Sequence, residues 1–504
     1  MTAIADLAAD LAAARFTVDS LGELWGEDAA AALHRGQRVP AMRALAELPE
    51  ALERGASSAS ATLARAFVLG LPVLPDALAA ALPTLGFVGA VALGLVDAQG
   101  NPLLDLRPYS FVDGSGVVSW WIASDLGELA LGHAIPEQHV LGVGGASTTL
   151  SGLMISSPVD LALDLGTGCG IQALHAARHA TRVIATDISV RALELARFNA
   201  DLNGVTNIEF REGSLFEPVA GERFGHVVSN PPFVITPRGA EGVPAYEYRD
   251  GGMVGDALVA SVIKDVEAHL EPGGVAQLLG NWEYGAGLSQ ADGLARVEQW
   301  VRFTALDAWV VERERQNVEQ YAETWIRDGG TRPGPEFDRL YDAWLDDFAT
   351  RGVTHVGFGY VTLRRPATGA PTLRRFEVLD GPVGGSLGER VSALLDAHDW
   401  LASRDDAALA RESLTVAPDV TEQRHYWPGD EHPTVMDLHQ GSGFARTVPL
   451  GTALAAVVGA CDGTLQLGAI CDAVAELLEV DAAELGDEVI PQVRELVLTG
   501  LLLA

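Results

Sequence analysis

Asp160-Leu161-Ala162-Leu163-Asp164-Leu165-Gly166-Thr167-Gly168-Cys169-Gly170 is the stretch whose reading decides the fold. Its first six residues form a short apolar run, the pattern of a buried strand. The glycines that follow at alternate positions let the backbone turn sharply and let a ligand approach it closely. A helix is expected from Ile171 to His179. Asp164 then stands at the carboxyl end of the strand, where open α/β sheets bind their ligands, and can accept hydrogen bonds from an ammonium group. The next strand, Val183-Ile184-Ala185-Thr186-Asp187, also ends on an acid, and a carboxylate there can accept both hydroxyls of a ribose. A glycine-rich turn holding no ligand explains the loop alone but not strand, turn, helix, strand and terminal acid in register. A dinucleotide-binding dehydrogenase requires Gly-x-Gly-x-x-Gly, whereas this chain reads Gly-x-Gly-x-Gly with Ile at 171.

Around this stretch, residues 150 to 365 alternate short apolar runs with helical ones, the mark of a parallel sheet with crossover helices. Strands are expected at Leu161–Leu165, Arg182–Asp187, Ile208–Arg211, His226–Ser229 and Val275–Leu279, with two more at Phe303–Val311 and Thr354–Leu363. Helices are expected at Ser189–Leu202 and Gly255–Leu270, the second closed by a turn at Glu271-Pro272-Gly273-Gly274. A charged helical insertion, Glu312 to Ala349, separates the last two strands.

The fourth strand runs into Ser229-Asn230-Pro231-Pro232-Phe233. Two prolines fix the backbone and remove two amide donors. The side-chain oxygen of Asn230 and the carbonyl of Pro231 can then address one amino group, while Phe233 offers a face for a planar group. Residues 140 to 365, less than half of the chain, resemble the small-domain class I methyltransferases that carry an Asn-Pro-Pro-aromatic motif. These include base N-methyltransferases acting on ribosomal or transfer RNA and protein-glutamine N-methyltransferases. The resemblance implies S-adenosylmethionine (SAM) as cofactor. Asp164, Gly166, Thr167, Gly168 and Gly170 would hold its methionine portion, Asp187 its ribose, and Ser214 and Leu215 would flank its adenine, with Ile188 and Asn230 as further cofactor contacts. Ser214 departs from the Asp often found there. The motif residues Asn230, Pro231, Pro232 and Phe233 are the catalytic candidates. The glutamine-modifying branch usually carries Tyr where this chain has Phe233, which tilts the expectation toward a nucleobase in RNA, with a protein glutamine or a small molecule as alternatives.

Two flanking segments are weaker candidates. Gly142-Val143-Gly144-Gly145-Ala146-Ser147-Thr148-Thr149 lies just before the sheet, either lining the cofactor or serving as an entry loop. Tyr246, Tyr248 and Arg249, after the Asn-Pro-Pro-Phe turn, are candidate substrate contacts on a lid or an ordinary surface loop. Tyr109, Phe111, Trp120 and Trp121 are expected to seal the first domain against the sheet. His425, His432 and His439 do not make a metal site, because Pro428 and Pro433 prevent their alignment on one helix face, and no metal is expected.

The 504 residues are too many for one compact core. The expected organisation is an α/β, Rossmann-like, seven-stranded methyltransferase domain over residues 119–375. A mainly helical domain precedes it at 1–118, closing in a strand, turn and strand over Val91–Leu106. A helical domain with a winged-helix-like end follows at 376–504. Formal net charge is -34. A field of that sign repels phosphates over most of the surface and favours a protein or small-molecule acceptor over RNA, though a local basic cleft is compatible with it. Cys169, Cys461 and Cys471 cannot build a disulfide framework. The opening residues lack the basic start and apolar centre of a signal peptide. The apolar stretch Ala66–Val96 is interrupted by Pro72, Pro75, Asp76 and Pro83, too often for a bilayer span of about 20 residues. A cytoplasmic protein without membrane partners is the expectation.

Overall fold

The strand and helix alternation of the central region is present in the computed structural model, which describes residues 2–47, 56–113, 116–131, 136, 138–237, 251–285 and 290–504. The chain divides into two compact units. One comprises Met1–Leu150, Pro158–Leu306 and Arg315–Gly369, and the other Ser151–Ser157, Asp307–Glu314 and Ala370–Ala504. Among the described residues no single helix is long and apolar enough to cross a membrane.

The first unit opens with helices α1 (Thr2–Ala13), α2 (Val18–His34), α3 (Val39–Ala46), α4 (Ala56–Leu63), α5 (Pro75–Ala81) and α6 (Gly86–Ala92). The hairpin expected over Val91–Leu106 lies further on. Strands β1 (Leu104–Asp113) and β2 (Gly116–Asp125) pair antiparallel, from Leu104 opposite Asp125 to Asp113 opposite Gly116. Val91 and Ala92 belong to α6, and a single bridge joins Val96 to Pro102. Asp97 stabilises that turn by accepting hydrogen bonds from the amides of Gln99 and Asn101. Residue 118, the expected domain boundary, falls within β2. Leu7, Leu11, Phe16 and Phe67 of the helical region share one core cluster with Leu174 and Leu195 of the α/β region.

After α7 (Glu128–Leu131) and α8 (Gly145–Leu153) the chain enters β3 (Val159–Leu165), α9 (Ile171–Ala176), β4 (Ala180–Asp187), α10 (Val190–Leu202), β5 (Ile208–Glu212) and β6 (Phe224–Ser229). Then come α11 (Ala257–Asp265), β7 (Leu270–Gly285), α12 (Gln290–Val301), β8 (Asp307–Asn317), α13 (Val318–Asp328), α14 (Pro335–Arg351) and β9 (Val353–Arg364). Six strands of the first unit lie in the order β9-β7-β6-β3-β4-β5. All neighbours are parallel except β7 and β9. This is the strand order of a Rossmann-like methyltransferase sheet, with its reversal point between β3 and β6, where ligands of such sheets bind. The strand expected at Phe303–Val311 is β8, which begins at 307 rather than 303, and in the second unit it pairs in parallel with β10 (Arg374–Val378).

The turn expected at Glu271–Gly274 is absorbed into β7 as an irregularity. Phe224 pairs with Leu270 and His226 with Val275, so residues 271–274 of β7 stand opposite the single residue Gly225 of β6. Gly273 takes φ +84° there, and its amide donates to the Arg365 carbonyl. The helix expected to reach Leu270 ends as α11 at Asp265 and continues as a 3-10 turn, Val266–His269.

The second unit holds α15 (Leu387–Ala402), α16 (Asp406–Leu409), α17 (Thr452–Gly459), α18 (Leu467–Leu478) and α19 (Ala482–Leu498). The last three match the expected helical tail. A short strand after α19, Leu502–Leu503, pairs with Thr415–Val416. A three-stranded antiparallel sheet, Val420–His425, Val435–Gln440 and Thr447–Pro449, was not expected from the sequence.

Candidate functional site

The ends of β3, β4 and β6 bring the candidate residues together at one edge of the sheet. Asp164 is fully buried. Its Oδ2 accepts a 2.6 Å hydrogen bond from the Thr167 hydroxyl, while its Oδ1 is buried without a partner among the described residues. Burial pushes its carboxyl up to about 7, against the opposing pull of the Thr167 hydroxyl and the Ala173 backbone amide. A buried carboxylate oxygen without a donor is costly, and the amino group of a ligand is one group that could supply it.

The glycine loop is built for close approach. Gly166 and Gly168 take φ +77° and +55°, and a Cβ at either position would meet open space. Gly170 differs: at φ +89° it caps α9, and a Cβ there would lie 2.9 Å from Ala196 Cβ on α10. It therefore serves helix packing, as the third glycine of such loops commonly does. Gly170→Ala should lower stability by about 2–4 kcal/mol, from left-handed backbone strain and overpacking together. Chemical denaturation reads this, and a change below about 0.5 kcal/mol would contradict the packing role.

Asp187 ends β4 half-buried, with a carboxyl raised by that burial. Its Oδ2 accepts from the Gly168 amide and its Oδ1 from the Ser189 amide, each at 2.9 Å. The side chain expected to hold a ribose thus also anchors the glycine loop and the start of α10, whose N-cap is Ser189. Ile188 beside it is 67% exposed, free to cover a planar group. Ser214 and Leu215 follow β5, and Leu215 is held at φ +47°, a strained conformation for a branched residue. The segment expected as a loop at Gly142–Thr149 is helical from Gly145, and the Ser147 carbonyl accepts from Gln172 Nε2 on α9.

Asn230 stands one residue beyond β6, with its side-chain Oδ1 buried and without a partner among the described residues. Ser229 ties this strand end to β3 by donating its hydroxyl to the Leu165 carbonyl at 2.8 Å. Phe233 is partly buried, and the Trp325 ring meets it edge-on, with centroids 6.2 Å apart. Two residues that the sequence reading missed hold this turn. Asn281 of β7 donates its Nδ2 to the Phe233 carbonyl at 2.5 Å, and Tyr321 of α13 accepts from the Ile235 amide at 2.9 Å. A polar Asn in the apolar run Leu278–Trp282 was the one available signal. Tyr246, Tyr248 and Arg249 lie outside the described residues. Tyr109, Phe111 and Trp120 form the expected seal, clustering around His175 of α9.

If the Asp164 carboxylate is what receives a ligand ammonium, binding below pH 7 must first remove a proton. Affinity for SAM should then fall about tenfold from pH 8 to pH 6, with nearly one proton released per binding event at pH 6. Calorimetry in two buffers of different ionisation enthalpy measures this. Equal affinity and no proton release at pH 6 would contradict the assignment.

Comparison with known proteins agrees with this geometry. Residues 145–290 match the family described as "Methyltransferase small domain". Residues 13–107 and 392–504 each match a family described as a domain of unknown function (DUF7059 and DUF7782). The chain is 40% identical over 131 residues to a release factor glutamine methyltransferase of Xylella fastidiosa, covering 24% of this chain and 47% of that protein. It is 41% identical over 127 residues to the protein of that description from Deinococcus radiodurans, covering 23% and 44%. A ribosomal protein uL3 glutamine methyltransferase of Bradyrhizobium diazoefficiens is 36% identical over 138 residues, covering 25% and 42%. The chain thus spans less than half the length of each of these relatives.

Proposed function

Because residues 145–290 belong to the methyltransferase small domain family, whose class I fold uses SAM, we propose that the protein methylates the side-chain amide nitrogen of a glutamine in a protein acceptor. The observation that carries this is Asn230 Oδ1, buried beside Phe233 at the end of β6 and without a partner among the described residues. Three similar proteins described as glutamine methyltransferases support glutamine over the nucleobase that Phe233 alone suggested. The net charge of -34 favours a protein acceptor for the same reason it disfavours a phosphate backbone.

The residues present fit the cofactor. Asp164 Oδ1 has no donor among the described residues, and the positions of Gly166 and Gly168 leave space that side chains would fill. Asp164 and the Gly166–Gly170 loop would hold the methionine portion, Asp187 the ribose, and Ile188, Ser214 and Leu215 the adenine. Bound SAM would supply a methyl group activated on a sulfonium sulfur, which would keep the electron pair of the broken methyl–sulfur bond and leave as a neutral thioether. Asn230 and the Pro231 carbonyl do the rest by accepting hydrogen bonds from the acceptor's NH2. An amide nitrogen is a poor nucleophile because its lone pair is delocalised into the carbonyl. Acceptors placed against its N–H groups favour charge on nitrogen as the new C–N bond forms. One N–H proton then leaves to solvent and the amide is restored. Phe233 and the stiff prolines hold the plane of the group, which alignment requires.

The test is incubation with methyl-labelled SAM and a cell extract. Label should enter material destroyed by protease and resistant to nuclease. Label lost to nuclease would establish the nucleobase acceptor instead, and no transfer to any fraction would favour a SAM-binding protein without catalysis.

A further inference from the structure

The helical insertion between β8 and β9 contains a residue whose position nothing in the cofactor site explains. Tyr321 of α13 is fully buried, yet its hydroxyl is not left in an apolar pocket. It accepts from the Ile235 amide at 2.9 Å and from Asn281 Nδ2 at 3.1 Å, and the same Asn281 nitrogen donates to the Phe233 carbonyl at 2.5 Å. Asn281 is also fully buried. These bonds seize the backbone on both sides of Val234, immediately after the Asn-Pro-Pro-Phe turn. Pro231, Pro232 and Pro237 cannot donate hydrogen bonds, so this segment has few backbone groups with which to fix itself.

The ring of Tyr321 is locked in turn. It packs against Trp344, Phe348 and Phe358, with centroids 5.6–5.9 Å apart, in a cluster that includes Val234 and Ile235. Trp325, one helical turn along α13, is the residue that meets the Phe233 ring edge-on. One face of α13 therefore touches the turn through both backbone and side chain, while the cofactor residues lie on β3, β4 and the loop after β5.

We infer that Tyr321 and Asn281 are positioning residues for methyl transfer, setting the orientation of the Asn230–Phe233 turn and hence of the acceptor nitrogen. This rests on reading the turn as the acceptor cradle. The stiff Pro231-Pro232 pair transmits a shift at Phe233 directly to Asn230. A misplacement of about 1 Å at such a site costs on the order of a hundredfold in rate. The clamp acts on alignment, not on cofactor or ground-state acceptor binding, so kcat is the parameter it governs.

Tyr321→Phe removes the hydroxyl and keeps the packed ring. With saturating SAM its kcat should fall about ten- to a hundredfold, with the SAM Kd and the acceptor KM within about threefold of native. Exchange of the Ile235 amide with solvent deuterium should quicken. In an Asn230→Ala background the same substitution should change kcat less than about twofold, because there is no Asn230 left to orient. Asn281→Leu, close in volume but without the donor, should give the same pattern. Native kcat in a folded Tyr321→Phe protein would overturn the inference, as would an equal loss in both backgrounds, which is what general destabilisation produces. If Tyr321→Phe does not fold, Asn281→Leu decides by the same two criteria. If the native protein labels RNA rather than glutamine, the acceptor assignment fails, while the clamp is still decided by Ile235 exchange and by the rate on that acceptor.

Discussion

Asn230→Ala should lower single-turnover methyl transfer about a hundred- to a thousandfold while leaving the SAM Kd within about twofold of native. The separation follows from position. Asn230 lies beyond β6, with its Oδ1 buried and without a partner among the described residues, whereas the groups assigned to the cofactor lie at β3, β4 and after β5. An interaction strengthened in the transition state lowers kcat when removed and need not change ground-state affinity. Rapid-quench transfer at saturating SAM measures the step. A native rate would make the turn a purely structural element. Phe233→Ala should instead raise the acceptor KM, since stacking acts in ground and transition states alike, and Phe233→Tyr should be tolerated.

The second large effect is expected at the other end of the site. Asp187→Ala should weaken SAM binding at least about a hundredfold. Each hydrogen bond to a charged acceptor is worth about 1.5–3 kcal/mol, and the substitution removes the ribose contacts. It also frees the Gly168 and Ser189 amides, so the glycine loop and the start of α10 lose their common anchor. Titration calorimetry reads the loss, and circular dichroism checks that the fold persists. An affinity within threefold of native would contradict the role of the β4 acid.

The cofactor half of the site was legible in the sequence because its geometry is local. Glycines at 166, 168 and 170 and the acids closing β3 and β4 are specified by neighbours a few residues away. The Asn-Pro-Pro-Phe turn was legible for the same reason. The clamp was not, since Asn281 and Tyr321 reach the turn across 48 and 86 residues. No periodicity in either segment announces a partner so distant. The β1–β2 hairpin was misplaced because Val91–Val96 is a short apolar run, and such runs fit a strand or the end of a helix equally well. β1 itself carries Arg107 and Pro108, which blur its alternation. Phe233 leaves the acceptor open for another reason: a single aromatic residue does not separate a nucleobase from an amide, because both are flat and both present an NH2.

The central claim is that the Asn230–Phe233 turn presents a glutamine amide nitrogen for methylation. It is tested most directly by isolating the protein labelled from methyl-labelled SAM and hydrolysing it in acid. Amide hydrolysis of a methylated glutamine releases labelled methylamine, and the account predicts that the label is recovered in that form, with little recovered when Asn230→Ala replaces the native enzyme. Label retained on a methylated nucleoside, or on a residue that survives hydrolysis with its methyl group attached, would contradict it.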